Sequence, residues 1–436
     1  MSSYTGRLRK QLNKQINEMA EHPELYCRNP GRDFSRKGKL GLSNTVRILL
    51  SMEGKSLGHE LREYFIGKKD APSPSAFVQS RGKLNAQAMP ALFHQFVHSI
   101  RKPLLYCGYR LLAVDGSTIR IPDAPENPDS LVVYSERQGW LNMLHLNVLY
   151  DLYSQIYEDV IIEGINVYNE QNALITMIDR AEPNNVILIA DRGYESYNVL
   201  GHLQHKGWKY LIRIRDHLGL VSGLNLPADD EFDCQINLCI SHRRTKETKA
   251  LFMERNRFKR VDAQRFDYDF FGIPRDGFFL LSFRIVRFLI SVDSYETVIT
   301  NLDADAFPLA ELKKLYSLRW GIETSFRHLK HTLGLLHFHA KKVEYIHQEI
   351  YARLIMYNFC ALVSSHIAIR TDRKKYAHKP NFSAAVQVCR QFFRGDISPP
   401  VLEALISSIS SPIRPDRSFP RTPSARGMVS FAYRIA

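Results

Sequence analysis

The chain has 436 residues, of which 44% are hydrophobic and 24% charged, a composition typical of a globular protein with two to four domains. Its net charge of +14 favours a polyanionic partner, nucleic acid before an anionic membrane surface. The apolar runs are too short to span a bilayer, and the N-terminus lacks the apolar core of a secretory signal. Six scattered cysteines do not form a disulfide framework, so we expect a cytoplasmic protein.

The first 103 residues have the pattern of short, mostly polar helices. A basic stretch runs from Arg32 to Arg47, with only one acidic residue, Asp33, inside it. Exposed cations on small helices are typical of contacts with DNA phosphates. The alternative is a solvated helical subdomain without a ligand. The predicted phosphate contacts in this stretch are Arg32, Arg36, Lys37 and Lys39.

Residues 104–215 alternate between strand and helix patterns. The predicted order is three strands, a helix, a strand, a helix and a strand. The first three strands are compatible with a meander, whereas the later strand–helix–strand unit requires a parallel pairing. Residues 216–300 are β-rich with no convincing helix, and residues 301–366 are helical again. The basic C-terminal region, 367–436, ends in a Pro/Ser/Arg-rich tail that we expect to be poorly ordered beyond about Ser410.

Two aspartates follow apolar runs in the 104–215 region. Asp115 comes after Leu111–Val114 and Asp191 after Val186–Ala190, and a glycine follows closely in both cases. We therefore predict that each carboxylate lies at the C-terminal end of a buried strand, where α/β sheets bind ligands. The alternative is that each aspartate only caps a turn.

A predicted helix presents four polar side chains together. At about 100° per residue they share an arc about 60° wide. An apolar stripe formed by Leu315, Leu318, Ile322 and Leu329 lies beside this arc. The alternative is an ordinary solvated face with i,i+4 ion pairs. The four residues on the arc are Tyr316, Arg319, Glu323 and Lys330.

Two strand-end aspartates and one helical glutamate make a set of hard oxygen ligands, the kind that Mg²⁺ prefers. Two such ions would activate the attacking oxygen and stabilise the leaving oxygen in a phosphodiester displacement. The sequence has no Walker motif and no G-x-G-x-x-G, so no nucleotide cofactor is indicated.

The helix reads Y-x2-R-x3-E-x6-K, which resembles the signature of bacterial DDE transposases of the insertion-sequence-four type. Asp115 in VDGST and Asp191 in ADRGY are similar to the first two acids of that family's triad. The resemblance implies an α/β protein with an RNase H-like mixed-sheet catalytic core, formed by residues 104–215 and 301–366. A β-rich insertion, 216–300, would interrupt the core, and a helical DNA-binding domain, 1–103, would precede it.

The resemblance also implies roles for individual residues. Arg319 and Lys330 would clamp DNA phosphates near the scissile bond, and the Tyr316 hydroxyl would bind a phosphate. Hairpin-forming relatives stack a flipped base on an aromatic residue of the insertion, usually tryptophan. Tyr295 is the nearest candidate here, and a surface tyrosine is the alternative. Two Mg²⁺ ions, replaceable by Mn²⁺, would be ligated by Asp115, Asp191 and Glu323.

The implied activity is cut-and-paste transposition by hydrolysis and strand transfer at terminal inverted repeats, directly or through a hairpin. The partners would be the element's ends and target DNA, bound by a homodimer, and the location the bacterial cytoplasm with its nucleoid. Three alternatives stay open: an RNase H-like nuclease or resolvase without strand transfer, an inactive domesticated DNA-binding protein, and a membrane-surface protein. The last lacks a basic amphipathic helix with strong apolar anchors.

Overall fold

The structure is a computed structural model that describes residues 3–36, 38–67, 70–100, 104–135, 139–182, 185–216, 219–241, 245–261, 277–291, 294–369 and 376–413. Lys37, one of the predicted phosphate contacts, lies outside these residues. The C-terminal tail from residue 414 onward, for which the sequence predicts disorder, also lies outside them.

The N-terminal region folds as helices. Pro74 begins one of them, and the hydroxyl of the preceding Ser73 accepts a hydrogen bond from the Ala76 amide, as expected of an N-cap. The helices are α1 (Tyr4–Glu21), α2 (Pro23–Tyr26), α3 (Leu42–Ser51), α4 (Leu57–Tyr64), α5 (Pro74–Arg81) and α6 (Ala88–Ser99).

The next part contains the predicted strands and helices in the predicted order, with one additional strand, β2. Apolar runs form its strands, and Val186–Ala190 is buried at every position. The elements are β1 (Arg110–Ile121), β2 (Leu131–Ser135), β3 (Gly139–Asp151), β4 (Ile156–Gly164), α7 (Glu170–Arg180), β5 (Val186–Ala190), α8 (Tyr197–Lys206) and β6 (Lys209–Arg213).

The β-rich part contains one short helix, so the prediction of no helix between residues 216 and 300 is wrong. Thr245 and Thr248 form a reciprocal capping box, which supplies partners for the first free amides of the six-residue helix. The elements are β7 (Phe232–Ser241), α9 (Lys246–Leu251), β8 (Phe258–Arg260), β9 (Phe279–Ser291) and β10 (Ser294–Thr300).

The last part is helical, with one short hairpin. A π-helical turn, His328–Thr332, follows α11 directly. The elements are α10 (Leu309–Leu318), α11 (Trp320–Arg327), α12 (Val343–His366), β11 (His378–Pro380), α13 (Phe382–Arg394), α14 (Pro399–Ser408) and β12 (Ser410–Pro412). Among the described helices, none is both long enough and apolar enough to cross a bilayer.

One large mixed sheet organises these elements. Within the described residues its strand order is β2-β3-β1-β5-β6-β10-β9-β7-β8, and β4 also pairs with β3. The strands β1, β5 and β6 are parallel, as a strand–helix–strand crossover requires, whereas β1, β3 and β4 form an antiparallel meander. Because β10 pairs with β6, the β-rich part continues the same sheet.

Helices cover both faces of the sheet. The side chains of Leu112 and Val114 pack with α7 and α8 in one core. Leu111 and Ala113, which alternate with them along β1, pack in a second core with α10, α11, α12 and the N-terminal helices. Asp115 is next in the alternation after Leu111 and Ala113. Its side chain therefore lies on the face of the sheet that is covered by α11, the helix that carries Glu323.

Candidate active site

Asp115 lies inside β1, so the prediction that it ends a strand and begins a turn is wrong. The pairing of β1 with β5 stops at Ala113, but its pairing with β3 continues to Ile121 and keeps the backbone extended. The carboxylate lies where β1 has lost β5 as a neighbour, and its Oδ1 accepts a hydrogen bond from the Gly116 amide at 2.8 Å. It therefore lies beyond the carboxyl end of the adjacent parallel strand, β5.

Asp191 directly follows β5, as the sequence predicts. Its Oδ1 accepts a hydrogen bond from the Gly193 amide at 2.8 Å and caps a short 3₁₀ turn, Arg192–Tyr194. The parallel pairing of β1 and β5 brings Asp191 to the same edge of the sheet as Asp115. Asp191 therefore caps a turn and also lies at the end of a buried strand, so its position agrees with both interpretations of the sequence.

The signature helix is less regular than the sequence predicts. Arg319 lies between α10 and α11 with helical dihedral angles, so the axis continues with little change. The π-helical turn then widens the helix, and the Leu333 amide donates to the His328 carbonyl. An arc calculated for a regular α-helix therefore holds for Tyr316, Arg319 and Glu323 but not for Lys330.

The guanidinium of Arg319 lies between two of the predicted catalytic carboxylates. Its Nη2 donates to Glu323 Oε1 at 2.8 Å, and its Nη1 lies 3.7 Å from Asp115 Oδ2. The side chain is buried, and its charge packs 5.2 Å from the ring of Trp320 and 5.9 Å from that of Tyr316. The signature helix and β1 are thus joined by one cation shared between two acids.

The charges of the other two acids both act on Asp115. Burial, and after it the negative charge of Asp191, raise the pKa of Asp115 to about 6, and Glu323 acts in the same direction. The Gly116 amide and the Arg319 charge lower this pKa, but by less. The negative charge of the three acids is therefore greater than the positive charge that Arg319 supplies.

The set of acids fits a divalent cation in chemistry but is not gathered around one. All three candidate ligands offer hard carboxylate oxygens, and the charges of Asp191 and Glu323 act together with burial to raise the pKa of Asp115. In the described part of the chain, however, no three acidic, histidine or cysteine side chains have the spacing of a metal site. Arg319 occupies the position between Asp115 and Glu323 instead.

The Asp115→Asn variant is expected to be more stable than the wild type above pH 6. A rise in pKa from 3.8 to about 6 corresponds to a cost of up to about 3 kcal/mol for the charged form in the folded protein. The cost is absent below pH 4, grows as the pH rises to 6, and persists above it. Urea unfolding of both metal-free proteins at pH 4 and pH 8 checks this. An equal difference in unfolding free energy between variant and wild type at pH 4 and pH 8 would contradict this expectation.

Tyr316 and Lys330 lie on either side of the acids. Tyr316 is 6% exposed, and its hydroxyl has no hydrogen-bond partner among the described residues. Lys330 Nζ donates to the carbonyl of Thr118, three residues beyond Asp115 on β1, at 3.0 Å. Burial lowers the pKa of Lys330 and raises that of Tyr316. Lys330 is therefore held near the β1 aspartate, whereas Tyr316 lies within the electrostatic influence of Arg319 and Asp191.

Two charged residues near Tyr316 were missed by the sequence reasoning. Arg213, at the end of β6, and Glu296, on β10, form an ion pair at 3.2 Å, and both charges act on the Tyr316 hydroxyl. Burial raises the pKa of Glu296, and the Arg213 and Arg319 charges oppose this. No local motif marks these residues, because only the pairing of β6 with β10 brings them together.

Tyr295 is not placed with the acids. It precedes Glu296 on β10, so its side chain points to the opposite side of the sheet. There the guanidinium of Arg287 lies 4.9 Å from the centre of its ring. Its role in base stacking stays a prediction.

The three predicted N-terminal phosphate contacts that the structure describes are exposed. Arg32, Arg36 and Lys39 lie in the loop between α2 and α3 rather than on a helix. Lys39 Nζ lies 3.5 Å from a carboxylate oxygen of Asp70, in a pair that is open to solvent. Their contact with DNA stays a prediction.

The family model that matches this chain and a full-length relative both describe transposases. Residues 106–359 match the family model of the transposase DDE domain. The chain is 25% identical to the transposase InsG for insertion sequence element IS4 of Escherichia coli strain K12, over 93% of this chain and 90% of that protein. A cryo-EM structure of a piggyBac transposase synaptic complex with hairpin DNA aligns with 94% of this chain and 84% of its own, at 9% identity and a TM-score of 0.43.

The matched range covers more than half of the chain and contains Asp115, Asp191 and the signature helix from Tyr316 to Lys330. Members of this family generally use divalent metal ions and act on DNA. The chain therefore belongs to the DDE transposases, enzymes that cleave DNA and transfer its strands, and within them to the insertion-sequence-four type.

Proposed function

We propose that this chain moves an insertion sequence by a cut-and-paste route, and that Asp115, Asp191 and Glu323 are its catalytic carboxylates. The observation that carries the proposal is the contact in which Arg319 joins Glu323 of α11 to Asp115 of β1. This contact supports the proposal because one guanidinium pairs with both the glutamate of the signature helix and the first aspartate. The core would be RNase H-like and formed by residues 104–215 and 301–366, with the β-rich residues 216–300 as an insertion.

The oxygen ligands of the three acids suit Mg²⁺, and two ions, replaceable by Mn²⁺, would be held there. Such ions would activate the attacking oxygen and stabilise the leaving oxygen of a phosphodiester. The three carboxylates would supply the negative charge that holds the ions. The rigid backbone of the strands would orient these carboxylates. Water or a 3′-hydroxyl would be the nucleophile in successive steps.

Arg319 would couple DNA binding to the arrangement of the acids. Its guanidinium is now shared between Glu323 and Asp115, and a DNA phosphate is a bidentate partner of comparable strength. A phosphate that takes over this guanidinium would release Glu323 towards the two aspartates. This explains how three acids of a metal site can lie close together without being gathered at metal-binding spacing.

The Tyr316→Phe variant is expected to keep the wild-type melting temperature and to cleave DNA about tenfold more slowly. The hydroxyl is buried without a partner among the described residues, so its removal costs the free protein nothing. A lost hydrogen bond to a charged phosphate costs about 1.5 kcal/mol, which corresponds to about tenfold in rate. Calorimetry and single-turnover cleavage check this. A lower melting temperature with unchanged cleavage would show a structural role instead.

The partners would be the terminal inverted repeats and target DNA, held by a homodimer that brings both ends together. The exposed cations Arg32, Arg36 and Lys39, with Lys37 beside them, would contact phosphates from the helical N-terminal region, 1–103. The basic region 367–436 adds further positive charge. We expect the protein to work in the bacterial cytoplasm, at the nucleoid.

A supercoiled plasmid that carries the element's own flanking repeats tests the proposal. With Mg²⁺ present, the wild-type protein should excise the segment between the repeats and leave 3′-hydroxyl ends or hairpins, which then join to target DNA. Nicks or breaks without joining would favour a nuclease or resolvase. Binding to the repeats without cleavage would favour a domesticated DNA-binding protein.

A further inference from the structure

A histidine and a glutamate lie behind the strand that carries Asp115. His145 is on β3 and Glu170 is in the first turn of α7, on the face of the sheet opposite the signature helix. Nε2 of His145 lies 3.0 Å from Oε1 of Glu170. The ring of His145 stacks on Tyr168 with centroids 4.1 Å apart, and its side chain is 7% exposed. The histidine is therefore sheltered from solvent, whereas the side chain of Glu170 is 31% exposed.

The pair lies against the two glycines that follow the catalytic aspartates. A Cβ atom built on Gly116 would be 2.3 Å from His145 Nε2 and 2.4 Å from Glu170 Oε1. A Cβ atom on Gly193 would be 3.2 Å from the other oxygen of Glu170. One carboxylate thus packs against the backbone beside Asp115 and the backbone beside Asp191, and glycine is required for the closer approach.

The same pair is linked to the lysine of the signature. Nδ1 of His145 lies 3.1 Å from the hydroxyl of Thr118, its cross-strand neighbour on β1. The carbonyl of Thr118 accepts the hydrogen bond from Lys330. Contacts therefore run from Glu170 through His145 and Thr118 to Lys330, around the strand that holds Asp115.

A buried tyrosine lies within the electrostatic influence of the same acids. Tyr194 is 1% exposed, and its hydroxyl has no hydrogen-bond partner within the described ranges. The charges of Glu170, Asp115 and Asp191 all act on that hydroxyl. A water molecule or an ion on this side of the site would supply the missing hydrogen-bond partner.

We propose that Glu170 and His145 are positioning residues that hold the Asp115 and Asp191 backbones at the spacing needed to share metal ions. The inference rests on the proposed function, because it concerns the same three acids. Glu170 acts through the glycine backbones and His145 acts through Glu170 and Thr118, so neither needs to touch the DNA. Partners that orient metal ligands typically change metal affinity or activity by about 10- to 100-fold when they are removed.

Two variants of the full-length protein test the charge of the His145–Glu170 pair and its position one at a time. Glu170→Gln removes the charge and keeps the shape. Gly116→Ala keeps both charges but displaces the pair, because the atoms it meets are the ends of side chains. The matched control is Asp179→Asn, since Asp179 pairs with His202 at 2.9 Å near the other end of the same helix.

The measurement is Mn²⁺ binding to each protein on an inverted-repeat duplex, followed by electron paramagnetic resonance, with the duplex alone as blank. Glu170→Gln and Gly116→Ala should each weaken Mn²⁺ binding about tenfold or more, with unchanged duplex affinity. Asp179→Asn should bind Mn²⁺ as the wild type does. Melting temperatures are compared in parallel, because a purely structural pair would lower stability and leave Mn²⁺ affinity intact.

The outcomes are distinguishable. Wild-type Mn²⁺ affinity in folded Glu170→Gln overturns the inference, and this variant carries the test alone if Gly116→Ala does not fold. If Asp179→Asn loses as much Mn²⁺ affinity as Glu170→Gln does, the inference is also overturned. If the wild type binds no more Mn²⁺ than Glu323→Gln does, the proposed function itself fails, whatever the Glu170 variant does.

Discussion

Glu323→Gln is expected to abolish strand cleavage, by at least about a thousandfold, while binding to the inverted repeats persists. The change removes one anionic oxygen ligand and leaves the size of the side chain unchanged. Stabilisation of the charge that develops on phosphodiester displacement by metal ions is worth several kcal/mol, and each 1.4 kcal/mol is tenfold in rate. DNA affinity should be retained, because the substitution removes none of the cations that we propose to contact phosphates.

The matched control for this prediction is Glu311→Gln. Glu311 is an acid in the first turn of α10 and pairs with Lys314 at 3.3 Å, so it has the same chemistry on the preceding helix. We expect it to cleave at the wild-type rate. Cleavage is measured in single turnover with saturating Mg²⁺, and binding by gel shift on the same duplex. A Glu323→Gln protein that cleaves within tenfold of the wild type would remove this residue from the catalytic set.

Glu349→Gln is expected to destabilise the fold by about 3–5 kcal/mol. Glu349 is fully buried on α12, and its Oε1 accepts from Arg81 Nη1 of α5 at 2.7 Å. Its Oε2 lies 3.2 Å from His339 Nδ1 and 3.9 Å from Arg353 Nη2. These cations hold the pKa of Glu349 well below its usual range, against the effect of burial. Glutamine would leave them without their shared counter-ion.

Part of the cost can be relieved by proton loss from His339. Its pKa is raised to about 9, despite burial, by the charge of Glu349 and its contacts with Glu349 and Glu60. This histidine therefore adds stability below its unfolded value near 6.5, and the contribution is lost as the pH rises towards 9. In Glu349→Gln it would become neutral, whereas the arginines would stay charged. The difference between variant and wild type should consequently shrink between pH 6.5 and pH 9.

The control is Glu344→Gln on the same helix. Glu344 pairs with Arg28 at 2.6 Å, but both side chains are about 40% exposed, so we expect a cost of at most about 1 kcal/mol. Urea unfolding of the three proteins at pH 7 measures the differences. Equal costs for the two variants would show that the buried cluster does not hold α5 against α12. A larger cost for Glu349→Gln than for Glu344→Gln would show that charge, as well as apolar packing, joins the N-terminal helices to α12.

Local periodicity in the sequence was enough to predict several features of the protein. Alternation and apolar runs gave the strands around Asp115 and Asp191, and the 3.6-residue period placed Arg319 and Glu323 on one face of one helix. The signature spacing also resembles that of the family whose model matches the chain. These properties follow from neighbours along the chain, which the sequence contains explicitly.

The tertiary structure decided everything that depends on which strands and helices become neighbours. Asp115 lies inside its strand because β3 continues to pair where β5 stops, and no local pattern around Asp115 encodes the length of β3. The π-helical turn moves Lys330 off the regular arc and onto the carbonyl of Thr118. Arg319 reaches both acids, and Glu170 reaches both glycines, only because helices pack on opposite faces of one sheet. Such contacts join residues far apart in sequence, so they arise from packing of the whole chain rather than from local residue preference.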